Sequence, residues 1–377
     1  MVLINFITDN KNVRLVKEIY KLFEGLAIKY GSGTFKKNII HYLENKCEPA
    51  NINIFYGYIN NVLIDYSENN IFIYDKICFE TNWIPQLHNY NLFVVKSIED
   101  KIIEKCLKKT EIIVLDFENE NINEFYKSIL KFSKNIKSLK LPNINNQLNI
   151  DDLPEVSLCM ITYNRRKFMK LFKLNYDNML YPKDKLEIII VDDGTEIIED
   201  LLPKEANIKY YKLDERKSIG YKRNECVKLS TKDIIAFIDD DDYYPANSLI
   251  TRVGHLMKSK KQCVFCSTLG CFHIYKYSSI INVSPINMPL EKKVSEATLT
   301  FKKVFWLNGK FNKDSMGNEG EDFIKDRIHL CKEINWEGII VSLLHTYNTS
   351  NRNIEITEQN GSHYGFTDEE FELITTI

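Results

Sequence analysis

Five apolar residues, Ile234-Ile235-Ala236-Phe237-Ile238, run directly into four consecutive aspartates, Asp239 to Asp242, and then into Tyr243-Tyr244-Pro245. A continuous apolar run of that length, rich in β-branched residues, reads as a strand buried on both faces. Such a strand needs a layer above and a layer below, so the surrounding chain must build an α/β sandwich. The carboxylates then sit where the strand leaves the sheet, and side by side they repel one another unless something positive joins them. Hard Mg2+ or Mn2+ prefers oxygen ligands and keeps open positions for a substrate's phosphates. Pro245 suits the first turn of a helix that carries Leu249, Ile250, Val253, Leu256 and Met257 on one face. The bland alternative, a solvated acidic loop, fits poorly between a buried strand and that helix.

The preceding sequence repeats the arrangement. Val156 to Ile161 reads as a strand entering Thr162-Tyr163-Asn164-Arg165, followed by a helix with Phe168, Leu171 and Phe172 on one face. Leu186 to Val191, apolar except for Glu187, stops at Asp192-Asp193-Gly194-Thr195. A third strand spans Ile208 to Leu213, and a helix from Ser218 to Leu229 carries Lys222 and Arg223. Three polar clusters thus fall at the carboxyl ends of parallel strands, where open α/β sheets bind ligands. Alone, Asp192-Asp193-Gly194 could be a simple turn; with the others it reads as a site, to which Lys222 and Arg223 would add contacts to a diphosphate.

At about 150 residues per domain, two domains are expected. Apolar residues at 44% and aromatics at 12% of 377 residues exclude a disordered chain. The polar stretch before Val156 marks the seam, giving a smaller α/β domain over 1–140, a linker over 141–153, the main domain over 154–350 and a tail over 351–377. In the first domain Val2–Ile7, Asn70–Tyr74, Leu92–Val95 and Glu111–Leu115 read as strands, and Val13–Leu26 and Ile98–Leu107 as helices. The abundance of Ile, Asn and Lys reads as the bias of an A/T-rich genome rather than a structural demand. A net charge of −2 argues against a general nucleic-acid binder. No run approaches the ~20 apolar residues of a membrane span, and the first residues lack the pattern of a signal peptide, so a cytoplasmic protein is expected. Nine scattered cysteines do not suggest a disulfide framework. Cys263, Cys266, Cys271 and His273 could be zinc ligands, but if Cys263 to Tyr275 is one strand, Cys263 and Cys266 point to opposite faces.

In order, Val156–Arg165, Ile188–Thr195, Ser218–Asn224 and Phe237–Pro245 resemble a family 2 glycosyltransferase of the GT-A fold. The resemblance implies a Rossmann-like mixed sheet over roughly 154–350, preceded by the smaller α/β domain. It implies that Thr162, Tyr163, Asn164 and Arg165 contact the donor's nucleoside, with Asp192 or Asp193 on the base edge and Arg223 at the diphosphate. Asp239 and Asp241 would hold Mn2+ or Mg2+, although four consecutive aspartates leave the register open by one. Asp239 or Asp240 would hold the ribose or a metal-bound water. Asn318-Glu319-Gly320-Glu321-Asp322-Phe323 resembles the family's Glu-Asp motif, making Asp322 the general base, with Glu321 as fallback. Gly317 and Gly320 would give that turn its flexibility. His345 matches a late metal-binding histidine, and Arg352 a diphosphate contact. The stretch Phe79–Pro85, with Tyr90 and Lys96-Ser97, faintly resembles the N-terminal half of two-Rossmann-domain glycosyltransferases, so residues 1–140 read as Rossmann-like, acceptor-binding or a second transferase-like half.

The expected function is metal-dependent, inverting transfer of a single sugar from a nucleotide-diphosphate sugar, UDP-linked by preference, to a hydroxyl on a glycan or protein. No Gln-x-x-Arg-Trp motif or membrane helix points to a processive synthase, no nucleic-acid partner is expected, and a homo-oligomer is left open. A nucleotidyltransferase is one alternative, but Thr162–Arg166 lacks its glycine-rich loop. The other is a non-catalytic scaffold that binds a sugar nucleotide or a glycan.

Overall fold

The computed structural model describes residues 2–30, most of 35–75, residue 90, 92–95, 111–114, 125–127 and 129, 152–348 except 286, 356–360 and 364–377. It divides into two compact units, residues 1–145 and 146–377. Phe79–Pro85, Lys96-Ser97, the helix expected at 98–107, most of the linker and Arg352 lie outside the described residues.

The first unit holds a six-stranded, all-parallel sheet. Its strands β1 (Val2–Thr8), β2 (Phe35–His41), β3 (Ile52–Tyr56), β4 (Asn70–Ile73), β5 (Leu92–Val95) and β6 (Glu111–Val114) run in the order 2-1-3-4-5-6. Helix α1 (Val13–Tyr30) buries Leu15, Ile19, Leu22 and Leu26 at helical spacing against Ile4, Phe6, Ile52 and Ile54. The sequence reading missed β2 and β3, where Lys36, Lys37, Asn38 and Asn53 interrupt the apolar pattern. Those asparagines are structural. Asn38, Asn5, Asn53 and Asn70 occupy matched register on four neighbouring strands. Asn38 Nδ2 donates to Asn5 Oδ1 (3.2 Å), Asn5 Nδ2 to Asn53 Oδ1 (3.2 Å) and Asn53 Nδ2 to Asn70 Oδ1 (3.1 Å). Asn70 Nδ2 ends the ladder on the carbonyls of Ile64 and Ser67. A slip of one residue would break every amide in the row, so the ladder fixes the register from inside the sheet.

The second unit holds a seven-stranded mixed sheet. Strands β7 (Val156–Thr162), β8 (Leu186–Asp192), β9 (Ile208–Lys212) and β10 (Ile234–Ile238) are parallel in the order 9-8-7-10. Beyond β10 lie β14 (Thr300–Lys302), antiparallel to it, then β11 (Cys263–Phe265) and β15 (Cys331–Glu333). Side chains alternate between two cores, with Leu158, Ile188 and Ala236 on one face and Cys159, Ile189 and Phe237 on the other. Helices α2 (Met169–Asn178), α3 (Ile219–Leu229) and α4 (Ser248–Lys258) follow β7, β9 and β10, and the short α5 (Lys303–Leu307) follows β14. Helix α4 starts at Ser248 and not at Pro245, because Pro245 first makes a turn whose carbonyl accepts from Ser248 N.

The reading of Cys263–Tyr275 as one strand is corrected. It breaks after Phe265, and β12 (Leu269–His273) joins a second sheet with β13 (Ser278–Asn282), β16 (Val341–Leu344) and β17 (Ile356–Asn360), in the order 16-12-13-17. Cys263 packs in one core and Cys266 and Cys271 in the other, so these thiols do not converge on a metal. The seven described cysteines are free. The described residues after 350 pack into the second unit and form no separate tail. Strand β17 pairs with β13, and α7 (Asp368–Thr376), capped by the reciprocal Thr367–Glu370 bonds, packs Ile374 with Leu171 and Phe272. Among the described residues, no helix is long and apolar enough to cross a membrane.

Glu187, near the start of β8, is buried and accepts four bonds: Ser157 Oγ (2.5 Å), Lys209 Nζ (2.7 Å), Thr231 N (2.8 Å) and Thr231 Oγ1 (3.1 Å). Burial opposes its charge, but Lys209 and the other donors outweigh it and lower its pKa. A lowered carboxyl pKa stabilises the fold above the ordinary carboxylate range, and that contribution is lost as pH falls through the lowered value. Glu187→Gln should therefore cost about 2 kcal/mol near neutrality. The gap from the parent should close below about pH 4, which thermal melts across pH would measure.

Candidate active site

The strand order 9-8-7-10 reverses direction between β7 and β10, and the polar clusters expected from sequence line the carboxyl ends around that point. This is the topological switch point at which open α/β sheets bind ligands.

After β10 the four aspartates separate into two roles. Asp239, Asp241 and Asp242 each bring a carboxylate oxygen to within 4.8 Å of the others. Asp242 Oδ1 accepts from Ser342 Oγ and Leu343 N, both at 2.9 Å, which ties the cluster to β16. Asp241 Oδ2 lies 2.9 Å from Arg165 NH1 and 3.4 Å from His345 Nε2. Asp239 Oδ1 lies 3.6 Å from Arg223 NH2. Asp240 turns away to accept from Thr162 Oγ1. Burial and the neighbouring Asp241 push its carboxyl up to about 8. It stands outside the acidic group; the sequence reading had offered Asp239 or Asp240 for the ribose or a metal-bound water.

The donor set fits a hard divalent cation. It is all oxygen, it is the only group of three or more such ligands among the described residues, and cationic side chains already flank it. The sequence reading took Asp239, Asp241 and His345 as metal ligands. The structure adds Asp242 to the acidic group and sets His345 beside Asp241, its ring centre 4.7 Å from that of Phe168.

The β7 and β8 loops brace one another. Asn164 holds φ = 52°, a left-handed conformation that asparagine tolerates. Its Oδ1 accepts from Thr195 N at 2.6 Å and Glu196 N at 3.2 Å. A Cβ on Gly194 would fall 2.6 Å from Asn164 N, so this close approach requires glycine. Asp192 accepts from Gly194 N and Tyr210 OH, each at 2.7 Å. Asp193 accepts from Lys217 N and Lys222 Nζ, each at 2.7 Å. Lys222 is thus buried against Asp193 and the Thr162 carbonyl, not free for a phosphate as the sequence suggested. Of the Thr162-Tyr163-Asn164 turn, the Tyr163 ring is the part that takes no share in this bracing.

Arg223 is buried. Its Nε donates to Glu319 Oε1 at 2.5 Å, and its NH1 has no hydrogen-bond partner. Burial opposes its charge, yet Glu319, Asp239 and Glu296 together raise its pKa. Glu296 accepts from Gly320 N at 3.1 Å, and its own carboxyl is pushed up to about 7 by burial and by Glu319. These residues tie helix α6 (Glu319–Ile324) to the acidic cluster. Gly320 is therefore no flexible hinge, since a Cβ there would come within 2.9 Å of Glu296 and Val294. In the same first turn Asp322 is exposed, with Oδ2 3.3 Å from Asn312 Nδ2, and Glu321 lies 3.9 Å from Lys292. Sequence reasoning missed Glu319 and Glu296. The only available signal was an acidic residue three positions before Asp322, one helical turn away.

Residues 157–293 match the family model described as glycosyl transferase family 2. The match covers about a third of the chain and lies within the second unit, so that unit contains a region similar to family 2 glycosyltransferases. Among solved structures, the chain is similar to the mannosyltransferase PcManGT from Pyrobaculum calidifontis in complex with GDP-Man and Mn2+ (17% identity, TM-score 0.43, 53% of this chain and 59% of that chain). It is also similar to S. aureus TarS 1–349 (16% identity, TM-score 0.41, 50% and 60%) and to that protein in complex with UDP-GlcNAc (16% identity, TM-score 0.39, 51% and 59%). The chain spans about three fifths of the length of these structures. No match was found among curated proteins.

Breaking a buried ion pair leaves an uncompensated charge. Glu319→Ala should destabilise the second unit by about 3 kcal/mol, and Arg223→Met should cost a similar amount. In a double-mutant cycle read by denaturant unfolding, the double variant should lose clearly less than the sum of the two.

Proposed function

We propose that the second unit transfers a single sugar, with inversion, from a nucleotide-diphosphate sugar to a hydroxyl of a glycan or protein. A UDP-sugar is the first choice of donor. The observation that carries this reading is the convergence of Asp239, Asp241 and Asp242 at the switch point, with Arg165 and Arg223 on their flanks. Three carboxylates there suit Mn2+ or Mg2+, which when bound supplies charge neutralisation to the departing diphosphate. Arg223, with a buried and unpartnered NH1, is placed to donate to phosphate oxygens, and Arg165 can exchange Asp241 for the same anion.

Asp322 is the general base in this reading. Its exposure leaves it open to an acceptor, whose hydroxyl proton passes to the carboxylate as the oxygen attacks the anomeric carbon. The new bond forms from the acceptor oxygen, and the bond to the diphosphate breaks with its electron pair leaving on phosphate. Attack from the face opposite the leaving group inverts the anomeric centre. Arg223 and Glu319 couple the two halves of the site, because the turn that carries Asp322 is fastened to the arginine beside Asp239.

Donor binding can be read by thermal shift with UDP-, GDP-, dTDP- and CMP-sugars, each with and without Mn2+. Stabilisation by one nucleotide family only with metal is the expected result; no shift with any would sink the proposal. Asp241→Ala should abolish both turnover and metal dependence, and full activity of that variant in a chelator would refute the metal role. Asp322→Asn should keep the donor-induced shift while transfer falls by roughly a hundredfold or more. Normal transfer would remove Asp322 as base.

A further inference from the structure

The ladder between β10 and β14 stops at Ala236 and Thr300, with one further bond from Phe237 N to the Leu299 carbonyl at 2.9 Å. Beyond it, two buried side chains take over the bridging. Arg252, on α4, is 1% exposed, and among the described residues no carboxylate pairs with it. Its NH1 donates to the Phe237 carbonyl at 2.7 Å and to the Ala297 carbonyl at 3.4 Å. The Tyr244 hydroxyl accepts from Asp239 N at 2.8 Å and donates to the same Ala297 carbonyl at 3.4 Å. Tyr244 is itself anchored, since its N donates to Asn175 Oδ1 at 3.1 Å and Asn175 Nδ2 donates to the Asp242 carbonyl at 2.9 Å. A buried charge without a counter-ion is costly, and burial lowers the pKa of Arg252. An apolar side chain would fill the same space at less cost. What the guanidinium adds is a fixed separation between two backbone segments.

We propose that Arg252 and Tyr244 form a spacer that sets the distance between the acidic cluster and Asp322, as positioning residues for transfer. The inference rests on the sugar-transfer reading of this site. One end of the spacer is the exit of β10, gripped at Phe237 and Asp239. The other end is Ala297, next to Glu296. Helix α6 has no cap of its own, because Asn318 sits at φ = 55° and makes no side-chain cap bond. Glu296 takes that place from a distant turn by accepting from Gly320 N. The position of Ala297 therefore passes through Glu296 to the first turn of α6, where Asp322 lies. Misplacing a reacting group by about an ångström can cost about a hundredfold in rate. A spacer this rigid matters to transfer without meeting a substrate.

The test is nucleotide release by the full chain in Mn2+ from UDP-glucose, UDP-N-acetylglucosamine, GDP-mannose and dTDP-glucose, with water as the acceptor. Tyr244→Phe removes the bridging hydroxyl alone, and Arg252→Met removes the guanidinium while keeping most of the volume. Each is assayed below the onset of its own melting transition. Both should show kcat about tenfold or more below the parent, with donor KM within about twofold. In an Asp322→Asn background, Tyr244→Phe should cost less than about twofold more, because the spacer acts through Asp322. A parental kcat for folded Tyr244→Phe overturns the spacer, even if Arg252→Met does not fold. A loss carried by donor KM alone, or one that multiplies fully with that of Asp322→Asn, overturns it as well. A parent that cleaves none of the four donors overturns the transfer reading and the spacer together.

Discussion

The second unit is organised around a repulsion. Four carboxylates leave one strand in succession, and Asp240, Asp241 and Asp242 are largely removed from water. Like charges at that separation are tolerable only if neighbours divide them. The fold divides them four ways: Asp240 turns to Thr162, Asp242 to β16, Asp241 to Arg165 and His345, and Asp239 to Arg223. The partners come from the end of β7 and its loop, from β16 and the residue that follows it, and from α3. The central sheet, the small second sheet and helix α6 all meet at the end of β10 for this electrostatic reason.

A consequence is that much of what looks like ligand-binding apparatus is also scaffolding. Asn164, Asp192, Asp193 and Lys222 spend their hydrogen bonds on holding two loops at fixed separation. That order costs backbone and side-chain entropy at folding, so less remains to be lost when a substrate arrives. Among the described residues, the unpartnered NH1 of Arg223 and the exposed carboxylate of Asp322 keep capacity for a ligand. They form a minority within an otherwise satisfied network, and the proposed chemistry draws on them.

Legibility in the sequence followed burial. Strands β7, β8 and β10 announced themselves because each is apolar on both faces and ends in polar residues, so their order and the rim they form could be read directly. Strands β2 and β3 could not, because their stabilisation includes an amide ladder whose members are far apart in sequence and individually look like surface residues. The break between β11 and β12 was hidden for a related reason. Both strands are buried, and periodicity does not say which sheet a strand joins. Residues after 350 read as polar, yet β17 needs only backbone pairing and α7 only a narrow apolar face to join the unit.

The sequence by itself determined that a buried parallel strand ends in a run of aspartates, that two further strands end in polar loops beside it, and that a family 2 glycosyltransferase pattern runs through them. The first two follow from local composition and spacing, which the chain carries regardless of its partners, and the third is a resemblance carried by four motifs in order. Only the tertiary structure decided which three of the four aspartates face one another, that His345 stands beside Asp241, that Lys222 is buried against Asp193, and that Glu319 fastens α6 to Arg223. Those outcomes depend on distances between residues as much as about a hundred positions apart, as for Arg223 and Glu319. Charges brought so close in a space of low dielectric select their partners strongly, and that selection exists only once the chain has folded.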